Sequence, residues 1–258
     1  MSNKRPGVAA AIRLCQQSST NDDALLWGKV EAQWDHVLQS MPKGQGRLLA
    51  THNQKVEQLG EKLRNGSQTS ITKQEFLDVV IPWKFAVGKP RPALWKHLRS
   101  NTEELVVKST VKAISLAQDI LIEKGKIKED DIKTAIQALT QLQGVGPATA
   151  SVILSLVRPD AFVYMFDEVI DCFLSKRTYT LPVYVDCNKA CHDLAEKLDW
   201  VPARVARTLW IAARACAAES VEDLTLSVTK KIQRQELPDD TEDNEKCVTR
   251  QSKRRKKR

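Results

Sequence analysis

Apolar positions recur at spacings of three or four along most of the chain, the mark of helices that bury one face. Leu26, Val30, Trp34, Val37 and Met41 form one such stripe, with Thr20 and Asp23 placed as a capping box ahead of it. Leu48, His52, Val56, Leu59 and Leu63 form a second, which Gly66 should stop. Thr72 and Glu75 mark another capping box, opening a helix through Phe76, Val79 and Val80. Asn101 or Thr102 should cap a long helix reaching residue 123, with Leu105, Val111, Ile114, Ala117 and Leu121 on its apolar side. Further helices are expected over 129–142 and 148–157, from Asp167 through Ile170, Phe173 and Leu174, over 188–198 and 202–218, and near 221–233. His52, sitting on an apolar stripe, is expected to be packed and hydrogen-bonded rather than catalytic.

Three stretches interrupt this rhythm. Residues 1–20 mix Gly, Pro, Ser and Gln without sustained periodicity and predict a flexible N-terminal arm. Residues 81–95 hold three prolines, one glycine, three basic residues and two tryptophans, which predicts mostly irregular backbone. Two readings of that loop stay open. Lys84, Lys89 and Arg91 interleaved with aromatics suit phosphate contact and base stacking; alternatively Trp83, Phe85 and Trp95 anchor the loop to the core and the cations are solvated. The third interruption is the short extended run Val163 to Phe166, which leads into Asp167.

Composition narrows the class. Aromatic residues make up 5% of the 258 positions and hydrophobic ones 42%, and long stretches are rich in Ala, Leu, Lys, Gln and Glu, so an all-α globular fold is expected. No run of 18 apolar residues and no signal-peptide layout is present, so the expectation is a soluble, intracellular protein with no membrane partner. The six cysteines lack a paired framework and read as reduced thiols. Cys187, Cys191 and His192 lie close together, but no second pair at ligand spacing accompanies them; a half-buried helix face is expected there, and no metal or cofactor. The net charge is +8, of which the segment 236–258 carries +2 and the body only +6. That balance permits a nucleic-acid partner without establishing one. The helical domain is expected over 21–235 and disorder over 236–258, whose final Lys253, Arg254, Arg255, Lys256, Lys257 and Arg258 fit a nuclear-localisation signal or a nonspecific nucleic-acid contact.

The turn between the expected helices 129–142 and 148–157 carries the chemistry. Gly144 and Gly146 can take positive φ and admit a close neighbour, and Pro147 suits a first helical position. Bare amides at a helix start attract an anion, and in a basic protein a nucleic-acid phosphate is the natural extended one. A merely packed turn would need neither both glycines nor the Thr149-Ala150 that follows.

Leu139, Leu142, Gly144, Val145, Gly146, Thr149, Ala150 and, past the second helix, Asp167 resemble the DNA glycosylase superfamily marked by a helix-hairpin-helix motif, a Gly/Pro-rich loop and an aspartate. Endonuclease III, the adenine glycosylase acting opposite oxidised guanine and the alkylpurine glycosylases belong to it. The resemblance implies a two-lobed helical DNA glycosylase-like fold. It also implies duplex DNA held through Gln143, Gly144, Val145, Gly146, Ala148 and Thr149, and a nucleotide extruded into a pocket between the lobes. Asp167 would stabilise the charge developing on the sugar or activate water; read from its position alone, it would be a helix cap.

Three departures qualify what the resemblance implies. Members that also cut the backbone place a lysine two residues after the second glycine, and Ala148 stands there, so a monofunctional, water-using glycosylase without lyase activity is expected. Cys172, Cys187, Cys191 and Cys216 lack the spacing of an iron–sulfur loop. Glu168 follows the aspartate where several relatives carry a small or polar residue. The expected function is thus DNA binding with hydrolysis of the N-glycosidic bond of a damaged base, in a nuclear monomer delivered by an import receptor. The alternative is a catalytically silent relative that binds nucleic acid or acts as a scaffold.

Overall fold

A computed structural model describes residues 6–16, 22–42, 44–123 and 125–215. Thr20 of the expected capping box, the helix near 221–233 and the basic cluster Lys253 to Arg258 lie outside the described residues. Within them the fold is all-α. The elements are α1 (Pro6–Gln16), α2 (Asp22–Glu31), α3 (Trp34–Ser40), α4 (Gln45–Arg64), α5 (Lys73–Glu75), α6 (Ile81–Val87), α7 (Leu94–Ser100), α8 (Glu103–Gln118), α9 (Glu129–Leu139), α10 (Pro147–Val157), α11 (Asp167–Phe173), α12 (Leu181–Leu198) and α13 (Pro202–Ala215). Among the described residues, no helix is long and apolar enough to cross a membrane.

At the centre lies α10, whose Thr149, Ala150, Ser151, Val152, Ile153, Leu154 and Val157 are all buried. A helix apolar on every side is stable only when neighbours surround it, and α10 packs against α4, α6, α8, α9 and α12. The capping signals behave as read. Thr72 accepts the Glu75 amide while the Glu75 carboxylate accepts the Thr72 amide, Thr102 caps α8, and Gly66 follows α4 in the left-handed region at φ 75°. The C-terminus of α8 is closed from a distance: the Arg158 guanidinium donates to the carbonyls of Ala117, Gln118 and Ile120 while pairing with Asp160.

Several expectations need correcting. Pro6–Gln16 is not a loose arm but a helix that buries Val8, Ala10, Ala11 and Leu14 against α11 and α13. Two of those four positions are alanine, so the stripe is too weakly apolar to stand out from the Ser and Gln that follow it. Residues 81–95 are mostly helical too, with only 88–93 irregular between α6 and α7. Pro82 is accommodated because Phe76–Val80 widens into a π turn, in which the Ile81 amide reaches back to the Phe76 carbonyl. That extra width relieves the clash a proline ring makes with the carbonyl four residues earlier. Of the α8 stripe, Val111 is 42% exposed, and Leu121, 72% exposed, lies beyond the helix end at Gln118. His52 is packed, but its Nδ1 is buried with no hydrogen-bond partner among the described residues, and burial lowers its pKa.

Candidate active site

The turn between α9 and α10 is fixed by two devices. Gly144 sits at φ 77°, which strains any other residue, and a Cβ there would crowd α7, 3.2 Å from the His97 Cβ and 3.3 Å from the Leu98 Cδ2. Asn101, 1% exposed, then clamps the turn to the end of α7. Its Oδ1 accepts the Gln143 amide at 2.8 Å, and its Nδ2 donates to the Gln143 and Leu98 carbonyls. Gly146 differs from Gly144. Its φ is −105°, in reach of any residue, and nothing lies within 4 Å of where its Cβ would be. Neither backbone nor packing requires glycine there; the bare Cα faces open space.

That open space is a cleft of about 150 Å³, lined by Gly146, Ala148 and Thr149 of the turn and by Tyr164, Met165, Asp167 and Tyr179. Lys84, Gly88, Lys89 and Arg91 complete it. Of the six turn residues expected to hold DNA, Gly146, Ala148 and Thr149 reach this cleft. Gln143, Gly144 and Val145 do not line it: the Gln143 amide is spent on Asn101, the Val145 amide bonds the Leu142 carbonyl, and Gly144 packs on α7. The Thr149 amide bonds the Gly146 carbonyl and its side chain is 4% exposed, so its surface is small. The amides of Gly146 and Ala148 take no acceptor among the described residues.

Asp167 is not the cap of α11. It is the first helical residue, Phe166 holds the cap position without a side-chain bond, and the carboxylate turns into the cleft. Oδ2 pairs with the Arg177 Nη1 at 2.9 Å and Oδ1 accepts the Tyr179 hydroxyl at 2.8 Å. Arg177 is in turn gripped by Asp171, through Nε at 2.9 Å and through Nη2, which raises the guanidinium pKa further. Burial, with the hydrogen bond to Asp167 second, pushes the Tyr179 phenol up to about 12, so it stays a donor at neutral pH. Glu168, the unexpected neighbour, points the other way: it is 4% exposed and pairs with Arg214 at 2.9 Å.

The extended segment joining α10 to Asp167 is held without a strand. Asn188 accepts the Val163 amide and donates to the Ala161 carbonyl, Tyr184 donates to the Val163 carbonyl, and the Ser151 hydroxyl accepts the Met165 amide. Each polar group on a buried loop needs such a partner. Cys187 and Cys191 of α12 belong to this buried face, more deeply than expected, and His192 bonds the Ala161 carbonyl through Nε2. Among the described residues, no group of three or more His, Cys, Asp or Glu could hold a metal ion.

Lys84, Tyr164, Arg177 and Tyr179 complete the site but carried no role there in the sequence reading. For Lys84 the interleaving of cations and aromatics was a partial signal; for Arg177 and Tyr179 there was none, since their partner lies ten and twelve residues back. Comparison with protein-family models, curated proteins and solved structures gave no match.

Proposed function

We infer that this chain binds duplex DNA at the cleft beside the α9–α10 turn and hydrolyses an N-glycosidic bond there, with Asp167 as the catalytic carboxylate. One observation carries the reading. Two amides at the start of α10 with no acceptor among the described residues, three cations from 84–91 and one carboxylate, contributed by three separate segments, converge on the same small cleft. Amides and cations suit a phosphate, and a carboxylate beside them suits a sugar that becomes cationic as its base leaves. The two-lobed helix-hairpin-helix glycosylase architecture, with an extruded nucleotide, belongs to the same reading.

One feature favours a second reading, binding without catalysis. Both oxygens of Asp167 are already engaged, by Arg177 and Tyr179, and a paired carboxylate offers less to a developing cation. The two readings separate on duplexes carrying alkylated, deaminated or oxidised bases, treated with alkali after incubation. The glycosylase reading expects abasic sites from wild type and none from Asp167→Asn. Tight binding with no base released from any duplex would leave the silent reading, and release persisting in D167N would remove Asp167 from the role.

Nuclear residence through Lys253 to Arg258, with an import receptor as partner, is the cellular part of the reading. It expects nuclear accumulation to drop when those six residues are deleted; an unchanged distribution would remove it.

A further inference from the structure

Beyond the ring of Tyr164, which also lines the cleft, lies a second hollow of about 140 Å³. Aromatic residues are only 5% of the chain, yet five of them meet here: Trp34 of α3, Trp83 of α6, Tyr164 and Phe166 of the extended segment, and Trp210 of α13. Their rings form an unbroken row. Trp34 and Trp210 lie 5.5 Å apart between centroids, Trp210 and Phe166 6.3 Å, Phe166 and Tyr164 4.3 Å, and Tyr164 and Trp83 5.3 Å. Tyr164, Phe166 and Trp210 are buried, while Trp34 and Trp83 are half-buried and reach solvent. Rings gathered only to fill a core would close on one another; these leave a space between them.

The walls decide what that space can take. The Asn53 side chain accepts the Trp83 indole N–H at 3.2 Å and donates to Glu57 at 2.8 Å. The Ser155 hydroxyl donates to the Val152 carbonyl at 2.9 Å, and the Trp210 indole N–H to the Val87 carbonyl at 3.1 Å. The Tyr164 hydroxyl lies towards Gly88, on the cleft side. A nucleobase edge or a primary ammonium would therefore give up its hydrogen bonds to water with little to replace them. Ring faces offer something else, the negative side of their quadrupoles. The fold already uses them so: the Arg207 guanidinium sits 4.5 Å from the Trp34 centroid and the Arg214 guanidinium 3.9 Å from that of Trp210. Each of these cations is matched by a carboxylate, Arg207 by Glu57 at 3.6 Å and Arg214 by Glu168 at 2.9 Å, so neither leaves an uncompensated positive charge beside the hollow.

We propose that this hollow is a binding site for a quaternary methylammonium group, held against the faces of Trp34, Trp83, Tyr164, Phe166 and Trp210 with the exposed Glu57 carboxylate as a further counter-charge. Such a group spreads its charge over methyls and asks for no hydrogen bond, which is what these walls can satisfy. The volume is well below the roughly 300–1,000 Å³ of pockets that enclose a drug-sized ligand. The site therefore takes a terminal group, the head of a choline-like molecule or the end of a trimethylated lysine side chain. It uses neither Asp167 nor the α9–α10 turn, so it stands independently of any action on DNA.

The test titrates the full chain with choline, with the uncharged tert-butyl analogue of choline, and with a glycine-flanked lysine peptide in trimethylated and unmodified forms. Calorimetry gives the affinities, and NMR follows the ligand methyl protons. Choline and the trimethylated peptide should bind saturably, and the tert-butyl analogue and unmodified peptide at least about tenfold more weakly. The bound methyl resonances should move upfield and show NOE contacts to the Trp34 and Trp83 rings. A trimethylated peptide that binds at least about tenfold more tightly than choline identifies a protein chain as the source of the group, and comparable affinities identify a free small molecule. Trp34→Leu, which removes one face, and Ala203→Leu, which fills space from α13 and keeps every ring, should each weaken binding about tenfold. Thermal melts check that both variants fold; should W34L unfold, A203L decides alone. No binding of either quaternary ligand, equal binding of the tert-butyl analogue, wild-type affinity in A203L, or NOE contacts that place the methyls beside Tyr179 in the cleft would each overturn the site.

Discussion

The two walls of the cleft are built on opposite plans. The turn wall is made of backbone and small side chains: Gly146 and Ala148 present amides, and with Thr149 they carry almost no functional groups. The facing wall is made of ionisable side chains, Lys84, Lys89 and Arg91, carried on a helix and loop that follow a π turn. A turn of the first kind can hold an anion but has nothing with which to react. What distinguishes this molecule chemically comes from the second wall and from Asp167.

The sharpest way to break that comparison is at the two glycines, which do different jobs. Gly144→Val forces a β-branched residue to positive φ and into His97 and Leu98, and should cost roughly 3–5 kcal/mol in denaturant unfolding. Gly146→Arg at a permissive φ, with open space around it, should leave stability within about 1 kcal/mol while blocking phosphate approach and DNA binding. If G146R unfolds the protein or binds DNA normally, the division of labour fails.

Asn101→Ala comes next in size. It strands the Gln143 amide and carbonyl at the buried hinge of the turn, so about 1–3 kcal/mol should be lost, with faster amide exchange at Gln143 than elsewhere in the turn.

The smallest effect sharpens the contrast from the other wall. The Lys84 ammonium titrates near 8 in the folded chain against its ordinary 10.5, so between those values the unfolded chain holds more protons and stability rises with pH. Below about 8 the penalty for burying the charge is present in full. Lys84→Met removes it and should stabilise the protein at pH 7 by about 1 kcal/mol, an advantage that shrinks towards pH 10.5. Thermal melts at several pH values check this, and a destabilised K84M would mark the lysine as structural.

These elements also show what the sequence could and could not disclose. Helix ends written in local chemistry, such as Thr72 with Glu75 and Gly66 after α4, were legible because the partners lie within a turn of each other. The turn at 144–146 was legible at Gly144, which takes the expected positive φ, but not at Gly146, whose φ is −105°, nor in the clamp from Asn101. Pro82 misled because the π turn that admits it has no residue signature of its own, and α1 was hidden because alanine marks a buried stripe faintly. Asp167 was read both as a helix cap and as a site carboxylate, and the cap reading fails because Phe166 holds the cap position. A cap is a local bond, whereas its carboxylate is governed by Arg177 and Tyr179, which return to it only after α11 has been completed. Clefts are assembled from distant segments, and pattern within a window does not report on them.

The Ser151 hydroxyl accepts the Met165 amide at 3.0 Å and donates to the Ala148 carbonyl at 3.2 Å, and both those residues line the cleft. One buried oxygen therefore rivets the helix that starts at the turn to the segment that delivers Asp167. In mechanical terms the turn and the carboxylate form a single jaw, with no hinge between them. The cations of the cleft come from outside that jaw, Lys84 from α6 after the π turn and Lys89 and Arg91 from the irregular stretch 88–93.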